Sequence, residues 1–390
     1  MLIPLEIPPG GYRNGTELDQ SGRWRDMNLV RWRDGSLRPV GGWRLRAATA
    51  YTGVPRGVVA WEDLSGDRRV AIGSFSNLYT TNAGGTTTDI TPAGFTSGAE
   101  KAAVNTGFGG GFFGTSYFGT ARPDTGNFAE ATTWSLDNWG EYLVACSSTD
   151  GKIYQWELDT ATVAAAVTNA PVDNLAMMVS AERFLFALGA GGNPRLVQWS
   201  DREDNTTWTA AATNEAGQIE LQTAGQIMSG INVRGQSLIL TDQDAHSATY
   251  EGPPYVYNLE RVGQSCGVIS RKALATVDAG AFWMGQEGFF SYAGGAVQEV
   301  PCEVADYVFG DLNRSQSSLV HAVPMAQHGE VWWFYPSGAS NECDRYVAFD
   351  YKEGHWTFGE IDRTCGVGRG VFKYPLWVDS LGNLWEQEVG

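Results

Sequence analysis

Short apolar and aromatic runs alternate along the chain with turns rich in glycine, aspartate and asparagine. In seven places two such runs follow one another across a turn, the pattern of a β-hairpin. The first runs of these pairs lie at 70–72, 142–144, 184–186, 238–240, 281–283, 331–334 and 376–378. The second runs lie at 77–79, 152–156, 195–199, 248–250, 289–292, 346–349 and 383–386.

The spacing of these pairs indicates a repeat architecture. Successive first runs are separated by 72, 42, 54, 43, 50 and 45 residues. A period of roughly 40–50 residues built from strands is typical of β-propeller blades, in which neighbouring four-stranded sheets bury one another. An irregular β-sandwich is the alternative, but it does not require a repeat. We therefore predict an all-β chain, a single β-propeller of about seven four-stranded blades.

The N-terminal region supplies material for closing this propeller. The last repeat ends at Gly390, before an outer strand of its own, whereas the runs 29–32 and 37–39 flank an Asp34-Gly35 turn. Pairing these N-terminal strands with the C-terminal blade would remove two exposed sheet edges. We expect an N-terminal arm over residues 1–27 and the propeller over residues 28–390.

Three segments depart from the hairpin pattern. Helical periodicity is visible only briefly, at 158–170 and at 303–309. The interval between the first two repeats is the longest, and its excess lies in a Gly/Phe-rich stretch at about 93–131. Loops of this length in compact folds are usually functional or disordered. We predict a projecting contact loop whose candidate residues are Phe108, Phe112, Phe113, Tyr117 and Phe118.

Charge is divided unevenly between the N-terminus and the rest of the chain. Residues 1–46 carry a net charge of +3, within a protein whose total is −17. The acidic remainder repels polyanions, which argues against wrapping of nucleic acid. It does not prevent DNA from sliding past such a surface.

The basic N-terminus repeats one motif, Arg-Trp-Arg-Asp, at 23–26 and at 31–34. In an extended chain the Trp and Arg side chains point to opposite faces. One interpretation is a closing strand with Trp inward and Arg outward. The other is a basic arm that docks on the acidic surface of a neighbouring copy or an adjoining ring. Under the second interpretation the candidate contact residues are Arg13, Arg23, Arg25, Arg31 and Arg33.

Motifs for catalysis are weak. Gly109, Gly111 and Gly114 match the dinucleotide-binding glycine pattern but lack its strand and helix context. The segment 242–246 places Asp242, Asp244 and His246 on alternate positions, which suits either a metal site or, as we favour, a solvated turn. No nucleophile elbow or zinc-protease motif occurs. We expect neither catalysis nor a cofactor, although two carboxylates at a propeller mouth could serve a glycan hydrolase.

The remaining sequence features concern location. The five cysteines are odd in number and widely spaced, as expected of buried free thiols in a reducing compartment. The N-terminus lacks the pattern of a signal peptide, and no run of about 18 apolar residues is present to span a membrane.

Several motifs resemble one family of viral proteins. Residues 26–32 (DMNLVRW) with 35–43 (GSLRPVGGW), residues 288–292 (GFFSY) leading to a short helix, and residues 349–356 (FDYKEGHW) are similar to tail nozzle proteins of short-tailed bacteriophages. These are also called tail-hub or DNA-stabilisation proteins. The similarity is best over 26–43 and 280–360.

This resemblance implies a structural virion protein. Such a subunit belongs to a homohexameric ring below the portal and its adaptor, or head-to-tail connector, and is assembled in the host cytoplasm. The ring forms the exit channel for genomic DNA, without sequence-specific binding, and anchors tail fibres or spikes. The alternative from another class is a propeller that binds or hydrolyses host surface polysaccharide.

Overall fold

The computed structural model describes residues 7–48, 51–102 and 129–390. Within them, seven four-stranded antiparallel sheets form the blades of a β-propeller. Blades 1 to 3 consist of Pro55–Glu62, Arg68–Ser74, Leu78–Asn82 and Thr87–Asp89; of Trp134–Trp139, Tyr142–Ser147, Ile153–Trp156 and Ala165–Ala166; and of Ala176–Val179, Leu185–Leu188, Leu196–Trp199 and Gly217–Glu220.

Blades 4 to 6 continue the same order, from the inner strand at the axis to the outer strand at the rim. They consist of Ile227–Val233, Gln236–Thr241, Asp244–Gly252 and Val256–Gln264; of Leu274–Val277, Gly280–Met284, Phe289–Tyr292 and Gln298–Val300; and of His321–Met325, Glu330–Tyr335, Arg345–Asp350 and His355–Glu360. The seven predicted hairpins are the second and third strands of the seven blades. The predicted fold is confirmed.

Blade 7 combines the two ends of the chain. Its strands are Cys365–Val367, Leu376–Val378 and Asn383–Val389, followed at the rim by Gly42–Ala48. In this closing pair Leu45 lies opposite Trp385. The predicted runs 29–32 and 37–39 form a separate hairpin, Val30–Arg33 with Ser36–Pro39. The closing strand is therefore the one that follows this hairpin.

Buried tryptophans hold adjacent blades together. Trp134 of blade 2 donates its indole N–H to the carbonyl of Ser74 in blade 1 at 2.6 Å. Its ring lies against Gly73, where a Cβ would come within 2.4 Å of the indole, so only glycine fits. In the same manner Trp333 of blade 6 donates to Ala273, just before blade 5, at 3.0 Å. These bonds satisfy the polar ends of large apolar groups in the core.

Helical structure in the described residues is short. The α-helix Ala305–Asp311 lies between blades 5 and 6, as predicted, and 3₁₀ turns occupy Ala190–Gly192 and Arg314–Leu319. The predicted helix at 158–170 is wrong, because that segment makes turns and then the outer strand Ala165–Ala166. Leu158 has a φ of 69°, which no α-helix accommodates.

Only the two ends of the predicted loop at 93–131 lie within the described residues. The amide of Thr132 donates to the carbonyl of Ala99 at 2.8 Å, so the ends meet beside the axis. The five predicted contact residues (Phe108, Phe112, Phe113, Tyr117 and Phe118) lie outside the described residues. No helix in the described ranges is long and apolar enough to cross a membrane.

Candidate interaction surface and central channel

The N-terminal segment crosses the outer strand of blade 6. The amide of Gly11 donates to the carbonyl of Trp356 at 2.7 Å, and Asn28 Oδ1 accepts from the amide of Glu360 at 2.9 Å. Both Trp356 and Glu360 belong to the outer strand His355–Glu360. The segment therefore occupies hydrogen-bonding groups that an edge strand would otherwise present to other chains.

Three of the five predicted contact arginines lie on this crossing segment. Arg23 forms an ion pair with Glu303 at 2.8 Å. The guanidinium of Arg13 lies over the ring of Tyr307, 4.7 Å from its centroid. Arg25 is exposed and reaches only Glu17, at 3.3 Å. Arg13 and Arg23 thus fasten the segment to its own propeller, whereas Arg25 faces solvent.

Arg31 is buried between two carboxylates. Its side chain is 7% exposed and forms ion pairs with Glu330 at 2.8 Å and with Glu388 at 2.6 Å. Burial raises the pKa of Glu330 above its ordinary value, and the charge of Arg31 opposes that shift. Trp32 is buried as well, so the expected alternation of inward Trp and outward Arg fails at this hairpin.

Arg33 lies at the edge of the same network. Its guanidinium is 3.5 Å from Nδ1 of His328, whose Nε2 is 3.4 Å from Glu388. Burial and the nearby charge of Arg31 lower the pKa of His328 to about 4. His328 is therefore neutral near pH 7, and the hairpin is joined to blades 6 and 7 by one connected polar cluster.

The rim of blade 7 carries an apolar and basic patch. Leu37, Trp43 and Leu45 are 46%, 44% and 45% exposed, large values for apolar side chains. The patch also contains four exposed basic residues: Arg38, Arg44, Arg369 and Lys373. We call these seven residues the blade 7 rim. Among the described residues no further strand pairs with the closing strand, so its outer backbone edge is also open.

Acidic side chains lie on the opposite side of the propeller. The outer strand of blade 4, Val256–Gln264, is the longest outer strand of the seven blades and exposes Glu260. Glu251 at the preceding turn is exposed too, and Arg261 is the one exposed basic residue on the strand. Exposed Glu220 and Glu299 lie on the outer strands of blades 3 and 5.

A cavity of about 290 Å³ lies in the central channel. Polar side chains of the inner strands line it, among them Ser135, Asp137 and Asn232, together with Met177, Met178 and Ile231. A cavity of this volume is small beside duplex DNA, whose major groove alone is about 12 Å wide and about 8.5 Å deep. Any passage for DNA would have to lie between several copies of the chain.

Arg271, Lys272 and Asp137 are the charged residues that line this cavity. Burial lowers the pKa of Lys272 to about 8, and the neighbouring Cys365 and Asp137 oppose that shift. Burial raises the pKa of Asp137, which accepts hydrogen bonds from the amides of Val179 and Asn138 at 3.1 and 2.8 Å.

Ion pairs surround the mouth of the channel. Arg56 binds Glu342 at 2.8 Å, and Arg271 forms an ion pair with Glu130. Glu130 belongs to one end of the 93–131 segment, so that segment is tied across the mouth to blade 5.

The sequence left two interpretations of Asp242, Asp244 and His246, a metal site or a solvated turn, and the burial of these side chains tests them. His246 Nε2 lies 3.1 Å from Asp244 Oδ1, and Thr223 and Thr241 donate to the same oxygen. Asp244 and His246 are buried, so the predicted solvated turn is wrong for these two residues. In the described part of the chain no three His, Cys, Asp or Glu side chains are grouped to hold a metal. The cluster instead ties the loop of blade 4 to its third strand.

Comparison of the sequence with models of known protein families and with curated proteins found no match. Solved β-propellers are similar in fold. Virginiamycin B lyase from Staphylococcus aureus aligns at 8% identity over 90% of this chain and 99% of its own, with a TM-score of 0.55. A streptogramin B lyase aligns at 9% identity over 89% and 97%, with a TM-score of 0.52. At such identities the likeness shows the β-propeller fold alone.

Proposed function

We propose that this chain is a structural subunit of the tail nozzle of a short-tailed bacteriophage. In this role several copies, six by the family resemblance, form a ring below the portal and adaptor. The ring surrounds the exiting genome and anchors tail appendages, and the subunit performs no catalysis. The observation that carries the proposal is the position of residues 26–43, one of the two regions of best resemblance. They build the separate hairpin of Val30–Arg33 with Ser36–Pro39 and part of the exposed blade 7 rim.

Charge supports this role. The protein carries a net charge of −17, so the wall of a channel formed by several copies would repel DNA rather than retain it. The blade 7 rim has the opposite sign and a cluster of exposed apolar side chains, the composition of a contact surface rather than of a solvated face. A contact of Arg25 with a neighbour or an adaptor is compatible with its exposed position.

Imaging of the purified chain tests the proposal. Negative-stain electron microscopy and mass photometry should reveal rings of uniform size, either for the chain alone or after addition of its adaptor protein. A chain that stays monomeric and binds no connector would overturn the nozzle assignment. Degradation of host polysaccharide, abolished by Asp137→Asn, would instead favour the glycan-directed alternative.

A further inference from the structure

The lengths of the outer strands differ among blades in a way that singles out two of them. The outer strands of blades 1, 2, 3 and 5 have three, two, four and three residues, which leaves little edge for pairing with another chain. The six-residue outer strand of blade 6 is crossed by the N-terminal segment. The outer strands of blade 7, with seven residues, and of blade 4, with nine, are longer.

These two strands have complementary surroundings. The blade 7 rim exposes Arg38, Arg44 and Lys373 in addition to Trp43 and Leu45, and Arg44 also pairs with Glu386 of its own blade. The blade 4 strand exposes Glu260 and the adjacent Arg261, and Glu251 and Tyr255 are exposed at the turn before the strand. The protein has a net charge of −17, so other copies of it offer abundant acidic surface that complements the basic patch.

We propose that the blade 7 rim of one copy docks on the outer strand of blade 4 of a second copy. The inference rests on the proposed ring function and names the surfaces that would form the ring contact. Trp43 and Leu45 supply the apolar centre of the contact, and the basic side chains face Glu251 and Glu260 of the second copy. The outer edges of the two strands lie side by side in this arrangement, except at Val262, whose carbonyl accepts the amide of Val297 of its own copy at 3.1 Å.

The positions of the two surfaces determine the kind of assembly. In a seven-bladed propeller, blades 4 and 7 are separated by three blade steps in one direction and four in the other. The contact therefore joins two different surfaces, the blade 7 rim of one copy and the blade 4 strand of another. In any pair of copies, one blade 7 rim and one blade 4 strand stay unused. Such a heterologous contact generates rings or filaments, whereas a two-fold contact would stop at a dimer.

Two variants test the assignment by mass photometry over a concentration series. Trp43→Ser with Leu45→Ser disables the first surface, and Glu251→Lys with Glu260→Lys disables the second. Each should raise the concentration for half-assembly on the order of ten-fold or more, since central apolar anchors and opposed charges dominate such contacts. Leu64→Ser with Val163→Ser, which alters side chains that are 89% and 49% exposed on blades 1 and 2, is the matched control and should assemble as wild type.

Mixing the two variants distinguishes the heterologous contact from other modes. Each variant retains the surface that the other lacks, so the mixture should form one-to-one heterodimers that do not grow further. If both variants form the same rings as wild type, this inference is overturned and the proposed function stays intact. A wild type that is monomeric at every concentration would also overturn it, and connector binding would then decide the proposed function separately.

Discussion

The ion pairs of Arg31 are the charge interactions on which the N-terminal hairpin depends most. Its guanidinium lies between Glu330 and Glu388, and Glu330 also accepts from the indole N–H of Trp332 at 2.8 Å. Two carboxylates that are almost out of contact with water tolerate burial here because both pair with the guanidinium of Arg31. The network therefore connects the hairpin to blade 6 and blade 7 at a single point.

Replacing Arg31 should destabilise the fold strongly. Arg31→Met leaves two buried carboxylates without a counter-charge, which we expect to cost about 3–5 kcal/mol of the free energy of unfolding. Urea denaturation followed by tryptophan fluorescence measures this cost. Arg25→Met, which alters an exposed pair with Glu17, is the control and should change stability by less than about 1 kcal/mol. Equal effects of the two variants would contradict the structural role of Arg31.

Lys272 leads to a second prediction at the residue scale, which concerns how stability depends on pH. Its pKa is about 8 in the folded chain and 10.5 ordinarily, so between these values the unfolded chain holds more protons. The stability contributed by this site therefore rises with pH across that window and is lowest below pH 8. Lys272→Met should unfold at a higher temperature than wild type at pH 7, and this difference should shrink as the pH rises from 8 towards 10.5.

The control for this experiment is Lys373→Met, which replaces an exposed lysine of the blade 7 rim. Its melting temperature should follow that of wild type across the same pH range. A constant difference between Lys272→Met and wild type from pH 7 to pH 10 would show that the amine is not desolvated in the channel.

At the scale of elements, the N-terminal segment covers the outer strand of blade 6, whose edge could otherwise pair with another chain. Gly11 makes the closest approach, since a Cβ there would lie 2.8 Å from Met27 and 2.9 Å from Phe358. A side chain at this position would press on Met27 and on the ring of Phe358, and one of them would have to shift for the segment to keep its hydrogen bond to the carbonyl of Trp356. The backbone of the segment, rather than its arginines alone, fixes it to the blade.

Gly11→Val should therefore release the segment without unfolding the propeller. We expect the amides of His355–Glu360 to exchange hydrogen at least ten-fold faster, because their cover opens more often. Hydrogen exchange measured by mass spectrometry reports this, and the amides of blade 3, on the far side, provide the internal control. Unchanged exchange in His355–Glu360 would mean that the segment does not protect this edge.

The sequence predicted elements well where the pattern was local. The hairpins of all seven blades were visible because a strand pair and its turn lie within about 20 residues. The closing strand Gly42–Ala48 was displaced from the prediction because Arg-Trp repeats at 23–34 have the stronger alternation. That alternation belongs to a hairpin whose Arg31 is buried by residues about 300 and 357 positions away, Glu330 and Glu388. Long-range ion pairs of this kind have no signal in the local pattern.

At the scale of the whole molecule, the two chain ends share one blade. The closing strand Gly42–Ala48 pairs with Asn383–Val389, and both Arg44 and Arg46 bind Glu386, at 2.5 and 2.7 Å. A ring of sheets that is joined at one place by the two termini unfolds as a unit only while that junction holds. The blade 7 rim is thus both the closure of the fold and, by our proposal, the surface that meets a second copy.

Two truncations separate these roles. Removal of residues 1–25 leaves the hairpin, Arg31 and the closing strand in place, so the propeller should still unfold in one sharp transition while assembly weakens. Removal of residues 1–48 exposes the whole edge of Asn383–Val389 and leaves Glu330, Glu386 and Glu388 without their arginines. We expect the second truncation to be poorly soluble or to lose the sharp transition in calorimetry. If the chain without residues 1–48 melted like wild type, the junction would not be what closes the propeller, because three strands of blade 7 alone would then suffice to hold it.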